Sequence, residues 1–298
     1  MMTDQQGRQI ERLQIQITKK DRFAPLYDRN WQEEGKDPEK EGILALVRAA
    51  AAQGVSKIRL TGGEPLERED LEEVIGEIAK IQGIKEITMR TGARGLDARA
   101  EGLKKAGLTA VSVCLDTFFE EKYIYMTGGG KIDQAMDGLE AAVKWEMKPV
   151  RVETVIMEGF NEDEILSFGQ LVLNEPIDVV FVQRKWDRQE EAPVLSQGKQ
   201  LRFMQTEEVK KKFKGLFGLK TVSSPAQFYQ WSQAKGRVGF VDPDIACREG
   251  IGGTLLLTGE GRLREAFSEK PGVSVLEELE RANENALAGI LRRAFGEK

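Results

Sequence analysis

Residues Lys57–Leu66 read K-I-R-L-T-G-G-E-P-L and carry the clearest structural signal in the chain. Apolar Ile58 and Leu60 alternate with polar residues, and this period of two predicts a buried strand. The Gly-Gly pair that follows permits a close backbone approach or a positive φ, and Pro65 has no N–H to continue a strand ladder. The segment therefore predicts a strand that ends in a tight turn, with an acidic side chain, Glu64, at that turn.

Strands and helices alternate on both sides of this segment. Strands are predicted over 13–18, 57–60, 84–89, 110–115, 150–156 and 179–182, and helices over 41–53, 67–82, 97–106, 131–146 and 162–173. Such alternation predicts parallel strands joined by right-handed crossovers. Six strands are too few for a closed eight-stranded barrel, so we predict an α/β fold with an open, partial (β/α)6 TIM-like barrel. Its ligands would lie at the carboxyl ends of the strands.

The pattern changes after Gln183. A charged, irregular segment is followed by a predicted amphipathic helix over 206–217, short strands over 237–241 and 254–257, and a long helix over 274–295 with one break. We therefore divide the chain into a barrel over 1–183 and an extension over 184–298 that closes the open side of the barrel.

The amino-acid composition indicates which class of protein this is. Of 298 residues, 40% are hydrophobic and 31% are charged, which is the balance of a soluble globular protein. No apolar run approaches the roughly 20 residues that span a bilayer, and the N-terminal residues lack the apolar core of a signal peptide. We therefore expect a cytoplasmic protein without membrane association. The net charge of −5 argues against broad nucleic-acid binding.

Cysteine and histidine are scarce. The chain has two cysteines, Cys114 and Cys247, and no histidine. A Ser-His-Asp arrangement is therefore excluded, as is a Cys/His zinc site. Two thiolates also fall short of the three or four that hold a cubane iron–sulfur cluster. Cys114 belongs to an apolar predicted strand, which favours a role as a small core residue.

Several segments resemble one known family. Thr61–Pro65, T-G-G-E-P, resembles the Gly-Gly-Glu-Pro motif of radical S-adenosylmethionine (SAM) enzymes. Four further segments resemble the molybdenum cofactor biosynthesis protein A (MoaA, GTP 3′,8-cyclase) family: G-R-Q-I-E-R-L-Q-I-Q-I-T at 7–18, A-G-L-T-A-V-S-V-C-L-D at 106–116, P-V-R-V-E-T-V-I-M-E-G-F-N at 149–161 and L-T-G-E-G-R-L at 257–263. The resemblance implies a partial radical-SAM barrel, in agreement with the alternation of elements.

The resemblance also shows which family ligands are replaced. The cysteines of the family's C-x3-C-x2-C motif, which bind a [4Fe–4S] cluster, fall on Asp21, Pro25 and Asp28. Carboxylates are hard ligands and proline is none, so we expect no iron–sulfur cluster in this loop. Near the family's second cluster only Cys247 remains, and Ala266 replaces the last cysteine. The family's GTP-binding arginines fall on Gln14, Val180, Thr254 and Leu256, which argues against a triphosphate held there.

More of the family's SAM-binding residues than of its cluster ligands are present in this chain. The resemblance implies that a SAM-like ligand contacts Thr61, Gly62, Gly63, Glu64 and Pro65 of the turn, Thr91 after the third strand, Asp116 after the fourth, and Glu153 in place of a ribose-binding asparagine. Without a cluster to chelate the methionine end, we expect SAM or S-adenosylhomocysteine (SAH) to bind weakly, on the order of tens of micromolar.

Three interpretations of the function are open. The one we favour is a non-catalytic relative that binds a small adenosyl or nucleotide ligand, or a protein partner, which includes a second copy of itself. Radical SAM and GTP cyclase activity are then not expected. The alternative is an enzyme with new acid–base or Mg²⁺-dependent chemistry in the same cleft. The residues that would carry it are Asp21, Asp28, Glu64, Asp116, Glu153 and Arg151. The third is a structural protein that binds nothing.

Overall fold

Twelve strands form one sheet at the centre of the structure, and helices cover its apolar face. The structure is a computed structural model, and it describes residues 2–4, 7–23, 25–27, 36–184, 200–214, 217–218, 227–242, 253–266, 268 and 270–296. The predicted α/β class is confirmed. No helix in these ranges is both long enough and apolar enough to span a membrane.

The elements are numbered in chain order. The strands are β1 Arg12–Gln16, β2 Lys57–Thr61, β3 Glu86–Thr91, β4 Ala110–Cys114, β5 Val150–Thr154, β6 Met157–Glu158, β7 Ile177–Val182, β8 Arg202–Phe203, β9 Phe217–Gly218, β10 Gln227–Gln230, β11 Val238–Val241, β12 Thr254–Leu257, β13 Arg262–Glu265 and β14 Val273–Ser274. The helices are α1 Lys40–Ala51, α2 Leu71–Ala79, α3 Leu96–Ala106, α4 Glu120–Thr127, α5 Ile132–Lys144, α6 Ile165–Asn174, α7 Thr206–Lys210, α8 Leu276–Glu280 and α9 Glu284–Phe295.

The sheet is parallel at its centre and open at its edges. The strand order is β14-β13-β12-β1-β2-β3-β4-β5-β7-β11-β10-β9, and the run from β12 to β11 is parallel throughout. The two outermost strands on each side are antiparallel. Among the described residues no pairing joins β14 to β9, so the sheet does not close into a barrel, as the partial-barrel prediction requires.

The C-terminal third of the chain supplies strands to both edges of the sheet. β12 pairs with β1, and β11 pairs with β7. The sequence predicts both of these strands but not their partners, and the structure places them at opposite ends of the parallel run. The division of the chain into two domains at residue 183 stays a prediction.

The two faces of the parallel run differ in chemistry. Residues that alternate along each strand, such as Leu13, Ile58 and Val113, point to the helices and are fully buried. The residues between them, such as Arg59 and Arg90, form a second face, here called the inner face, and are polar and partly exposed. Parallel sheets covered on both sides are apolar on both sides. A polar inner face therefore indicates a cleft rather than a second core.

Two helices differ from the sequence prediction. The predicted helix over 206–217 is wrong beyond Lys210, because α7 has only five residues. Phe213 turns into the core instead, where its ring packs against Phe181, Phe240 and Trp231. Helix α4 is absent from the sequence prediction, since its apolar side chains do not follow one face.

The predicted break in the last helix is confirmed. It lies between α8 and α9, where Ala282 has a φ of 47° and the Asn283 side chain accepts a hydrogen bond from Ala286 N at 3.1 Å. An N-cap of this kind starts a new helix.

Two helical glycines test the packing of the helices. A Cβ at Gly42 in α1 would collide with the backbone oxygen of Leu279 in α8, whereas a Cβ at Gly76 in α2 would meet nothing within 4 Å. We expect Gly42→Ala to lower the free energy of unfolding in urea by about 1–3 kcal/mol, and Gly76→Ala to raise it by roughly 0.5–1 kcal/mol. Equal stability of the two variants would contradict the close contact of α1 with α8.

Candidate functional site

The turn after β2 is held against the segment that follows β1. Gly63 N donates to Thr18 O at 2.8 Å, and Glu64 N donates to Lys20 O at 2.7 Å. A Cβ on Gly62 or Gly63 would collide with this segment, and Gly62 has a φ of 138°. The two glycines are therefore required by the close approach of two backbones. This packing accounts for both glycines but not for the acid beside them.

Glu64 is a buried carboxylate with three hydrogen-bond donors. Its Oε1 accepts from Leu66 N at 3.0 Å and from Thr91 Oγ1 at 2.6 Å, and its Oε2 accepts from Gly92 N at 2.6 Å. Burial raises the pKa of Glu64, although these hydrogen bonds and the charge of Arg94 oppose the rise. A carboxylate has about four acceptor positions. Oε2, with one donor, therefore retains an acceptor position.

A pocket of about 610 Å³, open solvent included, lies at the carboxyl ends of β2, β3 and β4. Four residues predicted to bind a cofactor line it: Gly63, Glu64, Thr91 and Asp116. Asp21 and Pro25 of the loop after β1 also line it. This location agrees with the general rule that ligands of parallel sheets bind where the strands end.

Other predicted residues lie elsewhere. Thr61, Gly62, Pro65 and Glu153 are not part of the pocket wall, and Asp28 falls outside the described residues. The role of all the predicted cofactor-binding residues stays a prediction.

Asp116 is fixed by neighbours from three segments. Tyr27 donates its hydroxyl hydrogen to Oδ2 at 2.6 Å, and Val155 N donates to Oδ1 at 2.7 Å. Asn161 Nδ2 donates to the backbone oxygen of Asp116 at 2.6 Å. The carboxylate therefore links β4, the residues after β5 and the loop after β1, and it faces the pocket from a fixed position.

Glu153 belongs to an ion-pair network on the inner face. Arg59 Nη2 lies 2.5 Å from Oε1 and Arg90 Nε lies 3.1 Å from Oε2. Burial raises the pKa of Glu153, but the charges of the two arginines and hydrogen bonds from Arg59 and Ser112 outweigh burial and lower it to about 2. Any ligand hydroxyl that binds Glu153 would have to share it with these two guanidinium groups.

The sequence analysis missed several residues of the pocket wall, and four of them carry ionisable functional groups. These are Arg90, Arg94, Cys114 and Tyr123. The prediction that Cys114 lies in the core is wrong, because it is the last residue of β4 and is only partly buried. Cys114 lies two residues after Ser112 in the same strand, so both side chains are on the inner face. This period of two is visible in the sequence and could have predicted the position of Cys114. Tyr123 comes from the unpredicted helix α4, so no sequence pattern indicated it.

The sequence is similar to known proteins over most of its length. A model of the radical SAM superfamily matches residues 19–172. A GTP 3′,8-cyclase of Alkaliphilus oremlandii (strain OhILAs) is 35% identical over 240 residues, which cover 80% of this chain and 73% of the relative. A GTP 3′,8-cyclase of Clostridium botulinum (strain Hall) is 33% identical over 284 residues, which cover 92% and 86%.

The chain belongs to the GTP 3′,8-cyclase family of radical SAM proteins.

Solved radical SAM structures share the fold. SuiB of Streptococcus suis, solved with bound S-adenosylmethionine, superposes with a TM-score of 0.59 at 12% identity, and the match covers 95% of this chain and 68% of SuiB. Native anSMEcpe with bound AdoMet gives a TM-score of 0.58 at 12% identity, over 92% of this chain and 81% of that one. At this identity the likeness concerns the fold alone, and it confirms the predicted radical-SAM architecture.

The family membership corrects the favoured functional interpretation. The relatives are enzymes that match most of the chain, so the prediction of a non-catalytic protein is wrong, and so is the expectation of no family activity that went with it. Replaced ligands tell which groups a site lacks, but they do not show that the site performs no chemistry.

The residues of the chain do not fit the iron–sulfur cluster typical of the superfamily. Such a cluster needs at least three thiolates from one site, and the whole sequence has two cysteines. Cys114 lies on the pocket wall, and Cys247 falls outside the described residues. Asp21 and Pro25 line the pocket where the family motif places cysteines.

The ion pairs of Glu153 with Arg59 and Arg90 on the inner face predict a free energy of unfolding that depends on pH. We expect Glu153→Gln to lower the free energy of unfolding at pH 7 by about 3–5 kcal/mol, because two partly buried guanidinium groups lose their counter-charge. The pKa of Glu153 is depressed to about 2. Its contribution is therefore complete above the unfolded value near 4.5 and is lost as the pH falls toward 2. Urea unfolding at pH 7 and pH 3 measures the difference between wild type and variant.

The matched control is Glu101→Gln, which removes an exposed pair with Lys105 and should cost less than about 0.5 kcal/mol. A Glu153→Gln effect that is as small as this, or that does not shrink at pH 3, would contradict the network.

Proposed function

We propose that the chain is an enzyme that binds an adenosyl ligand of the SAM type in the pocket at the carboxyl ends of β2, β3 and β4. Its chemistry there depends on protonatable side chains of the chain itself and not on a [4Fe–4S] cluster held by its own cysteines. The observation that carries the proposal is the position of Glu64. The acid of the family motif faces the pocket, is anchored by three donors and keeps one acceptor position.

An adenosyl ligand of this type ends in an ammonium group that requires an acceptor. The retained acceptor position on Oε2 suits it, because a charge-assisted hydrogen bond in a buried site is about twice as strong as a neutral one. A bound cation would also favour the ionised form of Glu64 and offset the effect of burial on its pKa. The family membership and the AdoMet-bound structures of the fold support the same ligand class.

The pocket also holds groups suited to proton transfer. Asp21 and Asp116 are carboxylates of its wall, and Tyr123 is a phenol of its wall. Burial raises the pKa of Tyr123 above its usual value near 10, so the phenol stays protonated and can donate. Among the described residues no three carboxylate or thiol side chains converge as metal ligands do. Asp21, Asp116 and Tyr123 supply the acid–base groups of the proposed enzyme.

The inner face beside the pocket suits an anionic second substrate. Its arginines include Arg12, Arg59, Arg90, Arg151 and Arg237, against the carboxylates Glu86, Glu153 and Asp178. Arg151 Nε is buried without a hydrogen-bond partner, although the guanidinium lies near the Phe228 ring. A buried, unpaired donor of this kind is costly unless a ligand satisfies it. The relatives' name specifies GTP, and a nucleotide phosphate is an acceptor that a guanidinium binds well.

A turnover assay tests the proposed function. The anaerobically purified protein is incubated with SAM and a panel of nucleoside triphosphates without reductant, and the loss of SAM is followed by mass spectrometry. We expect SAM to be consumed by the breaking of one carbon–sulfur bond of its sulfonium, so that the carbon group passes to the nucleotide or to water and a neutral thioether leaves. Glu64→Gln should slow this consumption at least about tenfold, because the variant loses the charge-assisted hydrogen bond to the ammonium group. Iron and sulfide should remain far below one cluster per chain.

Controls make the outcome decisive. Glu101→Gln on the exposed face of α3 should turn over SAM like the wild type, and thermal melting should show that Glu64→Gln is folded. Stoichiometric iron and sulfide, with SAM cleavage only in the presence of a reductant, would contradict the cluster-independent proposal. Neither binding nor consumption of SAM under any of these conditions would overturn the proposal as a whole.

A further inference from the structure

The Arg94 guanidinium is held in place from several sides at the wall of the pocket. Its Cζ lies 4.2 Å from the centre of the Phe23 ring, and its Nη1 donates to Tyr123 Oη at 2.8 Å. A Cβ on Gly129 would lie 3.0 Å from Phe23 Cε1, so that glycine lets the ring sit close to the chain. Phe23 therefore packs beside Gly129 and holds the Arg94 guanidinium through a cation–π contact.

Arg94 has a fixed position but no counter-ion. Within the described ranges no carboxylate lies at ion-pair distance from it, whereas Arg59 and Arg90, its neighbours on β2 and β3, both pair with Glu153. An arginine presents five N–H donors in a planar fork, and the hydrogen bond to Tyr123 uses one of them. A guanidinium that is pre-organised and retains most of its donors is suited to bind a carboxylate through two parallel hydrogen bonds.

The space between Arg94 and Glu64 is kept open by a glycine. A Cβ on Gly92 would lie 3.3 Å from Glu64 Oε2 and 3.6 Å from Arg94 Nη1. Gly92 does not have a positive φ, so its backbone conformation does not explain why the residue is glycine. The cationic group and the anionic group thus both lie beside Gly92, where an added methyl group would contact each of them.

We infer that Arg94 binds the carboxylate of the amino-acid end of the ligand, while Glu64 binds its ammonium group. A zwitterionic α-amino acid carries these two charges on one carbon, and the pocket presents the complementary pair across Gly92. In a cluster-containing relative a metal would hold this end, whereas in this chain a guanidinium from the segment after β3 supplies the positive charge. The inference rests on the proposed function and deepens it, because it assigns the residue that recognises the amino-acid part.

Calorimetry with three probes tests the assignment. The probes are SAH, its decarboxylated analogue that keeps the amine, and 5′-methylthioadenosine, which lacks the amino-acid end. We expect the wild type to bind SAH at least tenfold more tightly than the decarboxylated analogue. Arg94→Met should weaken SAH to the level of that analogue and leave the analogue itself unchanged. Gly92→Ala should weaken SAH but not 5′-methylthioadenosine.

Further variants separate recognition from folding. Arg94→Lys keeps the charge but loses the planar fork, so its loss of SAH affinity should be intermediate. Arg281→Met removes an exposed arginine of the segment after α8 and should bind every probe like the wild type. Thermal melting of each variant without ligand should remain within a few degrees of the wild type.

The outcomes distinguish this inference from the proposed function. Equal binding of SAH and its decarboxylated analogue to the wild type would overturn the role of Arg94 and leave the adenosyl site standing. Unchanged SAH affinity in Arg94→Met would do the same. No binding of any of the three probes would overturn the adenosyl site, and with it the role of Arg94.

Discussion

The structure of the site depends on one backbone contact, the docking of the turn after β2 onto residues 18–20. Two hydrogen bonds, Gly63 N to Thr18 O and Glu64 N to Lys20 O, bring these segments so close that side chains at the two glycines are excluded. The contact fixes the start of the Glu64 side chain, and donors from the turn and from the end of β3 fix its carboxylate. The buried acid is therefore held before any ligand arrives, which lowers the entropy cost of binding.

The charges of the sheet follow from the same architecture. Alternate residues of each strand face opposite sides of the sheet. Apolar residues on one side pack against the helices, so the residues on the inner face can be charged. Arg59 and Arg90 meet Glu153 on that face, while Arg94, only four residues beyond Arg90, lies past the strand end without a carboxylate partner in the described part of the chain. The structure thus separates paired arginines that stabilise the sheet from an unpaired arginine that faces the pocket.

Local sequence patterns predicted most of the parallel core, because the period of two at β2 and the helical period of α2 each appear within a few residues. The pairing of β11 with β7 and of β12 with β1 could not be predicted in this way, since long-range register leaves no local signal. The motif around Glu64 pointed to the pocket. The roles of Arg94, Tyr123 and Phe23 depend on three separate segments that meet only in the fold. The cysteine count limits the thiolates that the chain can offer to a metal, but it does not decide whether the chain is an enzyme.

The most direct test of the central claim, a cluster-independent adenosyl site, is a crystal structure of the anaerobically prepared protein with SAH. Diffraction data would also be collected at the iron absorption edge. The account predicts density for the ligand at the carboxyl ends of β2, β3 and β4, with its amino group at hydrogen-bond distance from Glu64, and no anomalous iron signal beside Asp21 and Pro25. Ligand density at another place, or an iron cluster bound in that loop, would contradict it.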